Sequence, residues 1–236
     1  MSGHGQENFH IDAEFAERKK LSKDELLKRM DDWAASGRYD KQMVTSCYIG
    51  PKVVADAIAG YYIDNREFVQ VMDIAAGTGA VANELIKLGF KKIDAIDPSK
   101  EMMKVALSRN LYQNYFNEYV DGRKMSIVTD SYDCVVICGG LSEGYIPTNG
   151  IFEILRIVKI GGIIAFTIPK FYEFGVEEFR GRLMPLFDQL EKHGDWKQLR
   201  KDTVPALLDN VEAWRFVFKV LVSESSVPRL PENGKK

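Results

Sequence analysis

A carboxylate and three small residues between positions 73 and 79 have the types and spacing of a ligand-binding turn. Asp73 follows an apolar run, and Ala75, Gly77 and Gly79 come after it at alternate positions. A glycine has no Cβ, so a ligand can approach the backbone there, and unpaired amides at the start of a following helix can donate hydrogen bonds to it. Residues 75–79, which we name the cradle, are therefore predicted to hold a ligand.

Two classes of cofactor bind to such a turn. The segment Gly77-x-Gly79-x-x-Ala82 fits the dinucleotide fingerprint, in which helix-terminus amides hold a pyrophosphate. Asp97, twenty residues after Gly77, fits the acidic position of that fingerprint. A carboxylate at Asp73 would repel a pyrophosphate but would attract the sulfonium and ammonium groups of S-adenosylmethionine. The sequence favours S-adenosylmethionine and leaves an NAD-dependent oxidoreductase as the alternative.

A strand and a helix are predicted to position the cradle. Residues 68–72 have the β-branched and aromatic content of a buried strand, and residues 80–88 favour a helix. Residues 92–96 predict a second strand that ends at Asp97. A carboxylate at that strand end can accept hydrogen bonds from both ribose hydroxyls of an adenosine, so Asp97 is the predicted ribose-binding residue.

Alternating strands and helices are predicted along the rest of the chain. Two helices precede the cradle, the first opened by the capping box Ser22-x-x-Glu25 and the second by Pro51. The later elements are strands at 115–120, 132–141 and 163–168, helices at 148–158 and 176–193, and a closing strand pair at 204–208 and 213–221. The second of those helices is expected to kink at Pro185.

The motif Asp73-x-Ala75-x-Gly77-x-Gly79 resembles the first motif of class I S-adenosylmethionine-dependent methyltransferases, with Ala75 in place of the usual first glycine. Residues 97–102, Asp-Pro-Ser-Lys-Glu-Met, are similar to a second pattern of that family. Several stretches between about residues 38 and 200 also resemble the methyltransferase-like family of the Williams–Beuren deletion region. The resemblance implies a cofactor, S-adenosylmethionine, and no particular acceptor.

The resemblance also implies further cofactor contacts. Met102 offers a soft thioether to the flat face of an adenine, and Pro98 is expected beside the same ring. Family members place an acidic residue near the adenine amino group where this chain has Asp121-Gly122, although Asp-Gly is equally an ordinary turn signal. Cys138 begins a loop, residues 138–145, that would line the methyl-donor and acceptor side.

Segments before the first strand commonly fold over the cofactor in this family, which makes Tyr39 and Tyr48 candidate contacts. A packing role is an equally good interpretation of both tyrosines. In the loop that begins at Cys138, Glu143 and Tyr145 are the polar candidates. Trp33 is predicted to be a core residue.

The fold expected from the resemblance is an α/β fold, a doubly wound, mostly parallel seven-stranded sheet of the Rossmann-like type with N-terminal helices. Residues 1–20 are expected to form a flexible arm and residues 21–226 the methyltransferase domain. Within that domain, residues 21–66 would be a helical lid and residues 67–226 the core. Residues 227–236 are expected to be a disordered tail.

Composition limits the function classes. The chain has 236 residues, 45% of them hydrophobic, a formal net charge of −2 and a pI near 6.0, so nothing marks a dedicated nucleic-acid binder. Three cysteines, three scattered histidines and no long apolar run predict neither disulfides, nor a metal site, nor a membrane span. We expect a cytoplasmic monomer.

Methyl transfer to an unidentified acceptor is the expected activity, with a small molecule favoured over nucleic acid and a protein acceptor left open. Displacement at a sulfonium methyl needs chiefly alignment and desolvation, so no catalytic base can be named from the sequence. Beside the oxidoreductase, a second alternative is a non-catalytic S-adenosylmethionine-binding protein that acts through partners.

Overall fold

One sheet runs through the computed structural model, which describes residues 18, 20–45, 47–208 and 210–231. Its strands are β1 (Gln70–Ile74), β2 (Lys92–Ile96), β3 (Tyr115–Phe116), β4 (Tyr132–Cys138), β5 (Val158–Pro169), β6 (Trp196–Leu208) and β7 (Val211–Val220). Their order across the sheet is β3-β2-β1-β4-β5-β7-β6. Neighbours from β3 to β5 are parallel, while β7 is antiparallel to both β5 and β6. The predicted mostly parallel seven-stranded sheet is confirmed.

Helices cover both faces of the sheet, and the first two lie over the carboxyl ends of its parallel strands. They are α1 (Lys23–Ala35), α2 (Arg38–Thr45), α3 (Gly50–Ala59), α4 (Ala80–Lys87), α5 (Lys100–Ser108), α6 (Gly150–Ile157), α7 (Tyr172–Gly175) and α8 (Leu183–His193), with a 3-10 turn at Arg66–Phe68. Within the described ranges, no helix has both the length and the apolar composition that crossing a bilayer would take.

Two apolar cores lie on opposite faces of the sheet, because successive side chains of a strand point to opposite sides. Val71 of β1 packs in one core with Val54 of α3 and Val81 of α4. The next residue, Met72, belongs to the other core, together with Ile154 of α6. Both faces are therefore dry, which accounts for the nearly continuous apolar character of β1 and β4.

The first helix begins where the sequence predicts it. The Ser22 side chain accepts a hydrogen bond from the Glu25 amide at 3.3 Å, and the Glu25 carboxylate accepts one from the Ser22 amide at 2.8 Å. This reciprocal pair satisfies two amides that the first helical turn leaves unpaired. The capping-box prediction is confirmed. Helix α2, which starts only three residues after α1 ends, was not predicted.

Several predicted boundaries were wrong, each for a local reason. Phe68 lies in the 3-10 turn and is 64% exposed, so β1 starts at Gln70. The strand predicted at 115–120 contains only the two residues of β3. Gly139 has φ +78°, which ends β4 at Cys138 instead of residue 141.

The helix predicted at 176–193 begins only at Leu183, so Pro185 lies in its first turn. A proline there gives up an amide that has no partner within the helix, and it causes no kink. The predicted kink was wrong. Strand β6 begins at Trp196, eight residues before the predicted start.

Residues 227–231 lie against α6, whereas the sequence assigned them to a disordered tail. The Asn149 side chain donates to the Leu230 carbonyl at 2.8 Å and accepts from the Leu230 amide at 3.0 Å. Arg182 donates to the Pro231 carbonyl at 2.8 Å. These backbone bonds fix the chain as far as residue 231. Residues 232–236, and all of the predicted arm except Arg18 and Lys20, lie outside the described residues.

Candidate active site

A cavity of about 190 Å³ opens at the carboxyl ends of the parallel strands, and the helices α1 and α2 lie over it. Its floor comes from the ends of β1, β2, β4 and β5 and from the loops that follow them. Of the twelve residues predicted to bind the cofactor, eight line it: Tyr39, Tyr48, Ala75, Gly77, Asp97, Pro98, Met102 and Cys138. The other four, Asp73, Gly79, Asp121 and Gly122, do not.

The cradle has a left-handed backbone at alternate positions. The φ angles are +56° at Ala75, +54° at Gly77 and +93° at Gly79. Glycine adopts this conformation freely, whereas an L-residue with a Cβ is strained there by about 1–2 kcal/mol. The spacing of the small residues therefore reflects backbone conformation as well as ligand approach, and Ala75 is the strained member.

The two glycines of the cradle face different surroundings. A Cβ on Gly77 would point towards the Tyr39 hydroxyl, 3.6 Å away, on the cavity side. A Cβ on Gly79 would lie only 2.3 Å from the Leu111 side chain. Gly79 thus leaves room for Leu111 and does not line the cavity, and its contact with the cofactor stays a prediction.

Asp97 faces the cavity from the end of β2, as predicted. Its carboxylate accepts hydrogen bonds from the Gly77 amide at 2.9 Å and the Ser99 amide at 2.8 Å, so both oxygens are anchored. Each oxygen keeps a lone pair for another donor. The residue is only 8% exposed, and burial raises the pKa of its carboxyl to about 6 against the opposing effect of the two amides.

Asp73 lies beneath the cradle and is fully buried. Its Oδ2 accepts a hydrogen bond from the Tyr112 hydroxyl at 2.7 Å, and its Oδ1 has no hydrogen-bond partner among the described residues. Burial raises the pKa of Asp73 to about 7, although the bond from Tyr112 and the nearby Ala82 amide oppose the shift. Asp73 can therefore act on a ligand in the cavity through its charge and not by contact.

The segment after β3 contributes other residues than those predicted. Tyr119 and Val120 line the cavity, while Asp121 forms an ion pair with Lys23 of α1 at 2.6 Å. Burial would raise the pKa of Asp121, but hydrogen bonds from Arg123 and Lys23 prevail and lower it to about 2. In the structure the Asp121 carboxylate ties Lys23 of α1 to the segment after β3, and the adenine contact stays a prediction.

Helix α2 is fastened directly to the cradle. The Thr78 hydroxyl donates to the Asp40 carboxylate at 2.7 Å, and Arg109 pairs with the same carboxylate. Arg109 also donates to the Thr78 carbonyl at 2.9 Å. This three-residue latch holds Tyr39, the neighbour of Asp40, over Gly77. The Tyr39 ring meets Trp33 edge to face, with 4.9 Å between centroids.

Helix α1 is fastened to the start of α5. Asp31 accepts hydrogen bonds from the Ser99 hydroxyl at 2.6 Å and from the Glu101 amide at 3.2 Å. Ser99 is the N-cap of α5 and Glu101 lies in its first turn, where unpaired amides favour a negative charge. Helix α1 thereby brings Leu26, Met30 and Trp33 into the cavity wall. Trp33, predicted to be core, lines the cavity.

A hydroxyl and a thiol meet at the β4–β5 end of the cavity. Tyr48 Oη lies 2.9 Å from Cys138 Sγ, and Thr167 Oγ1 lies 3.9 Å from the same sulfur. Burial raises the pKa of the Cys138 thiol to about 12 and raises the pKa of Tyr48 well above its usual range. Both groups are uncharged at neutral pH and can only exchange hydrogen bonds.

The closing hairpin supplies lining residues that sequence reasoning missed. Leu207 and Leu208 at the end of β6 and Val211 at the start of β7 all face the cavity. No motif marks them, and only the pairing of β7 with β5 brings them to this edge. Of the two loop candidates, Tyr145 lines the cavity, whereas Glu143 accepts a hydrogen bond from the Glu177 amide at 3.2 Å.

Comparison with known proteins identifies the fold and the motif region. Residues 71–162, which include the cradle, Asp97 and Cys138, match a family model described as a methyltransferase domain. Methyltransferase-like protein 27 of Homo sapiens is 30% identical over 169 residues, which are 72% of this chain and 67% of that protein.

Two more distant similarities agree with this. The chloroplastic 2-methyl-6-phytyl-1,4-hydroquinone methyltransferase 2 of Oryza sativa subsp. japonica is 22% identical over 129 residues, or 54% of this chain and 37% of that enzyme. The crystal structure of an S-adenosylmethionine-dependent methyltransferase from Clostridium acetobutylicum ATCC 824 aligns with a TM-score of 0.56 at 15% identity. That alignment covers 80% of this chain and 99% of the other.

The match thus spans two thirds of the human relative and less than two fifths of the plant enzyme. The family resemblance predicted from the cradle is confirmed by the similarity to the human protein and by the fold. The chain belongs to the S-adenosylmethionine-dependent methyltransferases, a family of enzymes.

Proposed function

We propose that this chain binds S-adenosylmethionine in the cavity and methylates a small molecule. The observation that carries the proposal is the buried carboxylate of Asp97. It faces the cavity, it is held in place by the Gly77 and Ser99 amides, and it keeps lone pairs for two further donors. The two neighbouring hydroxyls of a ribose match that arrangement.

The surrounding residues fit the rest of an adenosyl group. Met102 is 1% exposed and reaches the cavity beside Pro98, so the pair can cover one face of an adenine. Tyr39 lies over Gly77 and would cover the sugar from the α2 side. Asp73 would place negative charge beneath the cationic part of the ligand, which favours S-adenosylmethionine over the pyrophosphate of NAD.

When bound, S-adenosylmethionine supplies a methyl group on a positively charged sulfur. What the chain adds is alignment and the exclusion of water. The Asp40–Thr78–Arg109 latch keeps α2 on the cradle, and the Asp31–Ser99 contact keeps α1 on α5. With both helices in place, the acceptor and the methyl group would meet in a space shielded from bulk solvent.

The cover over the cavity favours a small-molecule acceptor. Helices α1 and α2 lie over the cavity, and Leu26, Met30 and Trp33 of α1 form part of its wall, which limits access by a macromolecule. The rice relative is named for methylating 2-methyl-6-phytyl-1,4-hydroquinone, a ring compound that carries a long hydrocarbon chain and is not a macromolecule. A protein acceptor would have to insert a single side chain into the cavity. Labelling of protein fractions with methyl-labelled S-adenosylmethionine tests that alternative.

Two measurements test the proposal in sequence. Titration calorimetry with S-adenosylhomocysteine should give saturable binding at one site, and the same titration with NAD should give none. Incubation with methyl-labelled S-adenosylmethionine and fractionated metabolites or proteins should then transfer label to a small-molecule fraction. Saturable NAD binding without a response to S-adenosylhomocysteine would contradict the cofactor. Binding without label transfer to any fraction would leave the non-catalytic alternative.

A further inference from the structure

The β6–β7 hairpin closes one end of the cavity, and the side chains at this end are apolar or uncharged. We name the part lined by Tyr48, Cys138, Thr167, Pro169, Leu207 and Val211 the hairpin pocket. We propose that the hairpin pocket is the acceptor site and binds an uncharged aromatic ring compound that carries one hydrogen-bonding group. This inference rests on the proposed function, since it specifies the acceptor for the same cavity.

The sheet order separates the hairpin pocket from the ribose-binding carboxylate. Asp97 follows β2, whereas Thr167 lies near the end of β5, and β1 and β4 lie between those strands. Three strand spacings amount to about 14 Å. Thr167 is aligned with Cys138, and Pro169 with Ala213 of β7. An adenosyl group whose ribose binds Asp97 would therefore not occupy the hairpin pocket, which lies three strands away.

The walls of the hairpin pocket are apolar and aromatic. Leu207 is 4% exposed and forms an apolar cluster with Val204 and Ala213, against which the Tyr48 ring packs. The Ile49 amide donates to the Leu207 carbonyl at 3.0 Å, which ties the segment carrying Tyr48 to the hairpin. A charged acceptor would lose its hydration against such walls, whereas an uncharged ring gains from burial.

The polar groups of the pocket are neutral and paired with each other. In the Tyr48–Cys138 contact at 2.9 Å, either atom can be the donor. The pair can therefore turn a donor or an acceptor towards a single polar group on the ring. Gly50 makes this contact possible, since a Cβ there would lie 2.7 Å from both the Tyr48 ring and the Cys138 sulfur.

The charged residues that line the cavity are directed elsewhere. Asp97 holds the cradle, Glu118 accepts a hydrogen bond from the Ser126 amide at 3.1 Å, and Lys23 pairs with Asp121. Arg18 donates to the Ser142 hydroxyl at 3.4 Å and lies over the Tyr145 ring, 5.3 Å from its centroid. Arg18 is nevertheless a cation on the cavity wall that would attract an anionic acceptor, so one of the probes is an anion.

The transfer step balances without a further reactant. A lone pair of the acceptor forms the new bond to the methyl carbon, the bond between that carbon and sulfur breaks, and its electron pair stays on sulfur as S-adenosylhomocysteine leaves. Where the acceptor atom carries a proton, that proton is released to bulk solvent once the product leaves the cavity.

Three probes with the same double ring test the inference: 1-naphthol, which is uncharged at pH 7, 1-naphthoate and 1-naphthylmethylammonium. Calorimetry is done on the protein saturated with S-adenosylhomocysteine. The dissociation constant of 1-naphthol should be at least about tenfold below those of the two ions, because each ion must give up hydration.

Two variants assign the binding to one end of the cavity. Leu207→Ala should raise the dissociation constant of 1-naphthol at least about fivefold and change that of S-adenosylhomocysteine less than about twofold. Met102→Ala, at the adenosine end, should raise the dissociation constant of S-adenosylhomocysteine at least about fivefold and change that of 1-naphthol less than about twofold. Val211→Ala, at a less buried position, takes the place of Leu207→Ala should the latter not fold.

Three results would overturn the inference: tighter or equal binding of either ion, no binding of 1-naphthol, or equal weakening of both ligands by the hairpin variants. Preference for 1-naphthoate would identify Arg18 as the recognition group. Failure of S-adenosylhomocysteine to bind would instead contradict the proposed function. In that case 1-naphthol binding to the free protein, weakened by Leu207→Ala, would still support the hairpin pocket.

Discussion

The amide of Gly77 donates a hydrogen bond to Oδ2 of Asp97 across 2.9 Å, joining the loop after β1 to the end of β2. The residue expected to hold a ribose is therefore also the residue that fixes the cradle. The two elements respond together to any change in that carboxylate, and the first prediction follows from this.

Asp97→Ala should weaken binding of S-adenosylhomocysteine at least about tenfold, since hydrogen bonds to a charged group contribute about 1.5–3 kcal/mol each. Asp94→Ala, within β2 and three residues before Asp97, is the matched control. Asp94 accepts from the Asn114 amide and the Tyr132 hydroxyl and does not line the cavity. It should lower the free energy of unfolding but leave the affinity unchanged. Equal affinities of wild type and a folded Asp97→Ala would show that Asp97 only anchors Gly77.

The stability of the free protein should depend on pH through Asp73. Its pKa is raised by burial to about 7, whereas an aspartate in an unfolded chain titrates near its usual value of about 4. The folded state thus binds the proton more tightly, and the resulting stability is complete below about pH 4 and lost as the pH rises through about 7. Asp97, raised to about 6, contributes with the same sign.

Asp73→Asn removes one of these titrations while keeping the shape of the side chain. The free energy of unfolding of wild type minus that of the variant should fall as the pH rises from about 4 to about 7. Urea unfolding of both proteins at a series of pH values measures this difference. A difference that stays constant over this range would mean that Asp73 titrates alike in both states.

Ala75→Gly should stabilise the protein by about 1 kcal/mol. The residue has φ +56°, where a Cβ is strained, and the relief outweighs the greater freedom of glycine in the unfolded chain. Gly60→Ala, at φ −69° and with no heavy atom closer than 3.6 Å to the added Cβ, is a suitable comparison at an unstrained position. Thermal unfolding measures the stability of both variants. A melting temperature of Ala75→Gly below that of the wild type would show that Ala75 is not strained.

The latch should control the opening of α2. Adding S-adenosylhomocysteine should slow amide hydrogen exchange at residues 38–45 as well as in the cradle, and Asp40→Ala should abolish most of the effect on α2. Asp32→Ala, which removes an exposed ion pair with Lys28 on α1, should not. Slowing confined to the cradle would show that α2 is a fixed packing element, with Tyr39 outside the cofactor site.

Local chemistry made part of the site predictable. The cradle, Asp97 and the Ser99 cap each depend on residues within a few positions of one another, where propensity and capping rules apply directly. The Ser99 hydroxyl accepts from the Met102 amide at 3.1 Å, as expected of a cap. The sequence was sufficient where the determining contacts are short-range.

Long-range contacts account for what the sequence did not reveal. The residues around Asp121 indicate a turn or an adenine contact, but they give no sign of its ion pair with Lys23, 98 positions earlier. Leu207 is an ordinary strand residue until β7 pairs with β5. Arg109 carries no motif, yet it bonds to Thr78, 31 positions earlier. Each of these roles is assigned by the fold and leaves no local pattern.

The position of the hairpin has a consequence for protein synthesis. The cradle and β1 to β5 emerge from the ribosome before β6 and β7, and chains fold as they emerge. Until β7 is made, Pro169 of β5 lacks its partner Ala213, and the cavity has no wall at the β5 end. A nascent chain can thus form the cradle at a stage when the β5 end of the cavity is still open.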